Sequence, residues 1–355
     1  MEKIRENIYR IGIPLKGSPL KEINSYLIRG TDRDLLIDTG YRREECITIM
    51  KDALKQLGSS SDRLDIFLTH VHSDHTGMVM EIAGPDSRIF MHEKDLAFLK
   101  EVLDGTNGVR TRARYVSEGM PEEIALEIQR TNPAKLSSLQ TMDDRFKPVK
   151  DGQMFTYGDY TLRVIATPGH TPGQSMLWLE SEKIMFTGDH ILFDITPNIT
   201  AFEDPKDALG EYLDNLKRML DFPVELALPG HRSSGNYRER ILALLEHHKI
   251  RLQETENIVK EHPGLSAYEI TGYMKWNIRV PKHQEKASWK DFPIIQRWYA
   301  VGECLSHLDY LRYRGKICRE LKGDVYVYYT PDHKQGGMPY PWRRNRFIKD
   351  ISFTY

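Results

Sequence analysis

Residues 67–77, FLTHVHSDHTG, constrain the fold more than any other stretch of this 355-residue chain. Three histidines and one aspartate occupy six consecutive positions, directly after the short apolar run at 64–68 that predicts a β-strand. Sheets in α/β proteins bind ligands at the carboxyl ends of their strands. Because imidazole and carboxylate groups suit borderline-soft divalent metals, the segment predicts a metal site at one edge of a sheet.

The same side-chain types recur where other strands are predicted to end. Asp38 follows the apolar run at 35–37, His170 lies in TPGHTPG, Asp189 in TGDH and His231 in LPGH. The neighbouring glycines and prolines let the backbone turn sharply. One histidine pair or one Thr-Pro-Gly turn is more often structural, but five motifs in series favour a metal site with more ligands than one ion needs.

In this order the motifs resemble those of the metallo-β-lactamase-fold hydrolases, over residues 5–235. The resemblance implies an α/β fold, an αββα sandwich of two mixed sheets flanked by helices, and two divalent metal ions, with zinc ahead of iron or manganese. It implies one metal triad of His70, His72 and His170, a second of Asp74, His75 and His231, and a bridging Asp189. Asp38 matches an early acidic position, and we expect it to hydrogen-bond to the metal-binding loop rather than to touch metal.

Hydrophobic periodicity organises the rest of the chain. It predicts helices over 43–57, 121–130, 205–220 and 292–313, strands over 160–166, 175–179, 183–186 and 224–228, and a hairpin over 316–329. We expect a catalytic domain at 1–235 with an insertion at about 105–148 over the site, a helical winged-helix-like domain at 236–330, and a basic, Tyr- and Pro-rich tail at 331–355. The second domain resembles the tail of the lactamase-β-2-like and glyoxalase-II-like branch through His248, Arg251, Gly302, Glu303, His307 and Leu308.

The ligand set predicts hydrolysis. Two metals about 3.5–4 Å apart can share a water and lower its pKa, so that a bridging hydroxide attacks without a protein nucleophile. Asp74 is then expected to orient the hydroxide and accept its proton. A small acyl substrate is expected, a thioester of coenzyme A or glutathione type ahead of a lactone. The alternative is a phosphodiesterase or ribonuclease whose winged helix contacts nucleic acid; a binding protein with a vestigial site fits the complete ligand set less well.

The charge distribution bears on the partners. Residues 271–355 carry 16 Lys and Arg against 8 Asp and Glu, although the whole chain has a net charge of −1. This basic part could attract an anionic substrate, and a solvated basic surface explains it equally well. The helix at 292–313 carries only Arg297 and Arg312 as basic residues, so we do not expect it to bind nucleic acid.

The expected cellular location follows from sequence signals that we do not find. Residues 1–10 mix charges into their apolar residues, which is not typical of a signal peptide. No run approaches the roughly 18 apolar residues of a membrane-spanning helix. Three widely spaced cysteines disfavour a disulfide framework. We therefore expect a cytoplasmic protein without membrane contact, with monomeric and homo-oligomeric states both open.

Overall fold

Two β-sheets pack face to face in the computed structural model, which describes residues 1–16, 18, 20–132, 138–201, 206–276 and 289–334. The first sheet has seven strands side by side in chain order: β1 (Glu2–Arg5), β2 (Ile8–Pro14), β3 (Glu22–Ile28), β4 (Asp34–Ile37), β5 (Leu64–Leu68), β6 (Ile89–His92) and β7 (Phe146–Val149). Strands β1 to β4 pair antiparallel, and β4 to β7 pair parallel.

The second sheet has five strands: β8 (Met154–Tyr157), β9 (Tyr160–Ala166), β10 (Ser175–Leu179), β11 (Ile184–Gly188) and β12 (Leu226–Pro229). They lie in the order β12-β11-β10-β9-β8, and only β11 and β12 pair parallel. Strand β9 alternates, with Leu162 and Val164 in the core between the sheets. Every residue of the central strand β10 is buried, because that strand is covered on both faces.

The described helices follow or cover these strands. They are α1 (Glu44–Gln56), α2 (Ser73–Thr76), α3 (Val79–Ile82), α4 (Glu93–Leu103), α5 (Thr106–Ser117), α6 (Glu122–Thr131), α7 (Ala208–Met219), α8 (Tyr237–Glu261), α9 (Ala267–Tyr273) and α10 (Ile294–Tyr313). A hairpin of β13 (Cys318–Lys322) and β14 (Val325–Tyr329) follows α10. No helix in these ranges is long and apolar enough to cross a membrane.

Helices cover the outer face of each sheet. Helix α1 buries Cys46 and Met50 in a cluster with side chains of the first sheet, and α7 packs Leu216 on the second sheet near Trp178. Full burial of a leucine or methionine side chain contributes about 1.5–3 kcal/mol to the stability of the fold. The order of layers is therefore helix, sheet, sheet, helix, which confirms the predicted αββα sandwich.

The helices at 106–131 pack against the C-terminal helices. Tyr115 of α5 and Ile128 of α6 share an apolar cluster with Ile270 of α9 and Leu305 of α10. Helix α9 begins with a capping box, in which the Ser266 side chain accepts the amide of Glu269 and the Glu269 carboxylate accepts the amide of Ser266. The domain boundaries and the winged-helix assignment stay predictions, and the tail from 335 onward lies outside the described residues.

Two predicted helices begin later than the periodicity indicated. Helix α10 starts at Ile294 rather than at 292, because a residue that precedes proline disfavours helical backbone and Phe292 precedes Pro293. Helix α7 starts at Ala208, where the side chain of Asp207 accepts the amide of Gly210 at 2.8 Å. The first residue predicted for that helix, Pro205, lies outside the described part of the chain.

Candidate metal centre

The predicted ligand residues follow strands of both sheets. The segment with His70, His72, Asp74 and His75 follows β5, His170 lies between β9 and β10, Asp189 follows β11 and His231 follows β12. These strand ends meet at one edge of the sandwich, and all seven side chains converge there.

The first triad consists of three imidazoles. Nε2 of His70 lies 3.1 Å from Nδ1 of His72, and Nε2 of His170 lies 3.0 Å from that same Nδ1 atom. His70 is fully buried, His170 is nearly so, and His72 is partly open to solvent. The nitrogens lie close enough together to bind one ion.

The second triad combines two imidazoles with one carboxylate. Nε2 of His231 lies 3.3 Å from both Nε2 of His75 and Oδ2 of Asp74. All three side chains are buried. The six triad residues are thus grouped as the sequence resemblance implied, while the assignment of a metal to each triad stays a prediction.

Asp189 lies between the triads. Its carboxylate oxygens lie 3.5 Å from Nε2 of both His75 and His231, and 3.7 Å from Nε2 of His170. Its Oδ1 atom is buried and has no hydrogen-bond donor among the described residues. A buried carboxylate oxygen without a donor is costly unless a cation binds it. Asp189 therefore lies where a bridging residue would lie, and its bridging role stays a prediction.

The outward nitrogens of the ligand histidines have acceptors behind them. Nδ1 of His170 donates to the carbonyl oxygen of Asn198 at 2.8 Å, and Nδ1 of His231 donates to the carbonyl oxygen of Glu22 at 2.7 Å. A carbonyl only accepts, so Nδ1 is protonated in both rings. Each Nε2 atom faces the cluster and presents a lone pair to it once a metal ion replaces any second proton. Lone pairs that face one another at about 3 Å repel unless a cation lies between them. The donor set therefore fits divalent metal ions.

The two triads differ in electrostatics. Burial lowers the pKa of His70 and His170 and brings that of His72 to about 3. Burial acts in the same direction on His231, but Asp189 and Asp74 outweigh it and raise its pKa to about 10. The first triad is thus neutral, and the second lies among carboxylates that require positive charge from protons or metal ions.

Asp38 lies behind the second triad, as the sequence predicted. Its Oδ2 atom accepts Nδ1 of His75 at 2.8 Å and the hydroxyl of Thr69 at 2.7 Å, and its Oδ1 atom accepts the amide of Thr69 at 2.8 Å. Asp38 has a positive φ of 57°, which an aspartate tolerates better than most residues. It fixes the orientation of His75 through a hydrogen bond, as carboxylates behind metal ligands do.

Asp95 is a buried positioning residue that the sequence did not identify. It lies in the first turn of α4 and accepts the amide of Val71 at 2.9 Å, the hydroxyl of Thr171 at 2.7 Å and the amide of Gly173 at 2.5 Å. It thereby joins the loop of His70 and His72 to the loop of His170. Acidic residues are common in the first turn of any helix, so no sequence signal distinguished it.

Gly173 allows this close approach. A Cβ atom at position 173 would lie 2.5 Å from the amide nitrogen of Asp95, a distance that real Cβ atoms do not adopt. His190 is fully buried against the ring of Tyr212, and neither of its ring nitrogens has a hydrogen-bond partner among the described residues.

Sequence comparison agrees with this fold. The Metallo-beta-lactamase superfamily matches residues 19–231, well over half of the chain. The chain therefore belongs to the metallo-β-lactamase superfamily, whose members are hydrolases.

Its relatives include two animal proteins. The chain is 31% identical to "Beta-lactamase-like protein 2 homolog" of Drosophila melanogaster, across 92% of this chain and 95% of that protein. It is 28% identical to the protein of the same name from Caenorhabditis elegans, across 79% of this chain and 81% of that protein. Both alignments extend beyond residue 231, so the likeness is not confined to the αββα sandwich.

Two solved structures share the architecture. A metallo-beta-lactamase family protein of Thermus thermophilus superposes with a TM-score of 0.76 at 25% identity, over 92% of this chain and 100% of that chain. A beta-lactamase domain protein of Burkholderia ambifaria superposes with a TM-score of 0.78 at 24% identity, over 93% and 94% of the two chains. The second likeness is evidence of the fold alone.

Proposed function

We propose that this chain is a dinuclear metal-dependent hydrolase of small ester-like substrates, with thioesters of coenzyme A or glutathione type ahead of lactones. The convergence of two triads on Asp189 is the observation that carries the proposal. A donor set of imidazoles and carboxylates suits zinc, ahead of iron and manganese.

The metals, when bound, would activate a water and stabilise charge on the oxygen or sulfur atoms that change in the reaction. His70, His72 and His170 would hold one ion, Asp74, His75 and His231 the other, and Asp189 both. The acceptors behind the imidazoles keep each ring in the tautomer that presents a lone pair.

Asp74 is the group placed to move a proton. Burial would raise the pKa of this carboxyl, but its hydrogen bond with His231 and the charge of His75 hold the pKa at about 2. The carboxylate is therefore ionised at working pH and can accept a proton from a water in the cluster. Its Oδ2 atom lies 3.3 Å from Nε2 of His231, inside the cluster where an activated water would be held.

The packing of α10 favours a small substrate over a nucleic acid. Val301, Leu305 and Leu308 of that helix are fully buried. Its two arginines bond within the protein, Arg297 to the carbonyl oxygen of Phe292 and Arg312 to the carboxylate of Asp309. A helix that reads DNA presents several side chains to the groove instead.

The test combines metal analysis of the purified protein with a parallel panel of acyl-CoA, acyl-glutathione, lactone, phosphodiester and RNA substrates. We expect about two metal ions per chain and the highest kcat/KM on a thioester. Turnover of RNA or phosphodiesters alone would overturn the proposed substrate class.

The variant Asp74→Ala tests the mechanism. It should abolish turnover and leave the far-UV circular dichroism unchanged. Asp214→Ala is the matched control, since that carboxylate lies exposed on α7 and pairs only locally with Lys217. Activity that survives in Asp74→Ala would exclude proton transfer by this carboxylate.

A further inference from the structure

Asn198 contacts the first triad with its backbone and helix α10 with its side chain. Its carbonyl oxygen accepts Nδ1 of His170 at 2.8 Å. Its side-chain Nδ2 atom lies 3.3 Å from the carbonyl oxygen of Tyr299 and 3.5 Å from Oε2 of Glu303. Because a backbone carbonyl only accepts, the NH2 group of the amide faces α10. One residue therefore joins a histidine of the first triad to the C-terminal helix.

The segment around Asn198 is held on its other side as well. The Oδ1 atom of Asn198 accepts the hydroxyl of Thr200 at 2.6 Å. Gly302 of α10 rests against that threonine, since a Cβ atom at position 302 would lie 2.9 Å from its Cγ2 atom and 3.1 Å from its Oγ1 atom. Between the two polar residues, Ile199 is fully buried in the apolar cluster of the second sheet. The segment is therefore held between that sheet and α10.

Glu303 is in turn held by helix α8. Its Oε1 atom lies 3.6 Å from Nε of Arg251. The guanidinium of Arg251 lies 4.4 Å from the centre of the Trp276 ring and donates to the carbonyl oxygen of Lys275 at 2.9 Å. Two helices of the C-terminal part thus converge on the carboxylate that faces Asn198.

The second triad is supported from other parts of the chain. Nδ1 of His75 lies 2.8 Å from Oδ2 of Asp38, and Nδ1 of His231 donates to the carbonyl oxygen of Glu22 at 2.7 Å. Glu22 is the first residue of β3, and Asp38 directly follows β4. The path from α10 through Asn198 therefore leads to the first triad.

We propose that Asn198 is a positioning residue through which α10 sets the metal affinity of the first triad. This role rests on the proposed function, since it requires that the triad binds an ion. The side-chain contacts with α10 keep the Asn198 carbonyl in place, and that carbonyl fixes the ring of His170. Loss of a group that holds a ligand histidine in this way typically costs about 10- to 100-fold in metal affinity.

The test loads the wild type and Asn198→Ala with Co²⁺, which takes the same nitrogen and oxygen ligands as zinc. A competing chelator is then titrated while visible absorption follows the ions that stay bound. We expect one of the two ions to bind about 3- to 10-fold more weakly in the variant and the other to bind as in the wild type. The loss is smaller than that of a direct partner because the carbonyl remains.

Asn198→Asp is the sharper variant. It replaces the NH2 group with an oxygen atom that faces the carbonyl of Tyr299 and the carboxylate of Glu303, and acceptors that face each other repel. The same ion should bind more weakly than in Asn198→Ala. Combining Asn198→Asp with Glu303→Gln supplies an amide that can donate to the new carboxylate, so affinity should recover toward the wild type. A merely steric role of Asn198 would give no such rescue.

Asn257→Ala is the matched control. Asn257 lies exposed on α8, and its side chain accepts Nε2 of Gln253 on the same helix at 3.0 Å. The variant removes the same amide from the C-terminal part of the chain without touching the path to His170. It should retain both ions as the wild type does, and far-UV circular dichroism should show that all variants are folded.

The outcomes separate the role of Asn198 from the proposed function. A wild-type protein that retains no Co²⁺ overturns both. Two bound ions that Asn198→Ala retains as tightly as the wild type overturn the positioning role alone, and so does an equal weakening of both ions, because such a loss would be general. Selective loss of one ion in a protein that hydrolyses no acyl compound supports the positioning role and overturns the proposed substrate class.

Discussion

Two clusters of buried charged side chains in this molecule have opposite designs. The metal centre directs nitrogen and oxygen atoms toward one another. The second, which we call the interface cluster, comprises Arg114, Glu118, Asp309, Arg319 and Tyr328 and joins α5 to α10 and to the hairpin. In it, Glu118 accepts the guanidinium of Arg319 at 2.7 Å and the hydroxyl of Tyr328 at 2.8 Å.

The two clusters differ in whether other side chains of the protein balance the charge of their carboxylates. The carboxylates of the interface cluster accept hydrogen bonds from arginine and tyrosine side chains of the protein itself, so their charge is balanced without a bound cation. Among the described residues, the carboxylates of Asp74 and Asp189 face imidazoles whose Nδ1 atoms already have acceptors. A buried polar cluster that is incomplete without an added cation is therefore the better indicator of function.

The largest effect should come from Asp189→Asn. The amide keeps the shape of the bridging side chain and removes its charge. The variant should therefore lose metal. Its activity should fall by more than the roughly 100-fold that is seen when a residue hydrogen-bonded to a metal ligand is removed. Metal analysis and kcat/KM check this. Full metal occupancy with normal turnover would mean that Asp189 does not bridge.

Arg319→Met should act on stability instead. It leaves the Glu118 carboxylate in the interior without its guanidinium, and breaking a buried ion pair costs about 3–5 kcal/mol of unfolding free energy. Urea denaturation measures the loss. Activity per folded molecule should stay at the wild-type level, and a selective loss of metal would show that the two clusters are not independent.

A smaller effect should appear in the pH dependence of stability. Burial raises the pKa of Glu118 from 4.5 to about 7, even though Arg319 acts in the opposite direction. The folded protein then holds this proton more tightly than the unfolded chain, so the contribution of Glu118 to the unfolding free energy falls as pH rises from about 4.5 to 7, by about 3 kcal/mol.

Glu118→Gln removes that titration. Urea midpoints at pH 5, 6, 7 and 8 should therefore fall less steeply in the variant than in the wild type. Parallel pH profiles would show that Glu118 is not the group responsible.

Asp95→Asn should have the mildest consequence. Oδ2 of Asp95 accepts from Val71 and Thr171, and Oδ1 accepts from Gly173. An asparagine that keeps the first two bonds turns its NH2 group toward the amide of Gly173, so the loops of His70 and His170 lose part of their alignment. We expect a fall of about 10- to 100-fold in metal affinity or activity. Metal titration of the chelated protein measures it, with Glu93→Gln on the same helix turn as control.

The sequence predicted the elements that follow strong periodic patterns and missed those without one. Helix α1 and strands β9 and β10 fall within one residue of the predicted bounds, because their apolar residues recur with helical or strand spacing. Strands β6 and β7 were not predicted. Each has only four residues, and β7 contains a proline, which is unusual in a strand.

For the site, the sequence predicted the seven residues that converge and the support from Asp38, and it missed the other supporting groups. The seven ligand-type residues belong to short motifs with fixed spacing, and a linear pattern can show them. Asp95, Asn198 and the carbonyl of Glu22 support them from parts of the chain that become neighbours only after folding.

Gly302 controls how closely α10 packs against its neighbours. A methyl group added there would force either Tyr115 or Thr200 to move. The absence of a Cβ atom at position 302 therefore sets how closely α10 packs against these two residues. A substitution at Gly302 would therefore change the packing of α10 on these neighbours from a position that is not itself a ligand-type residue.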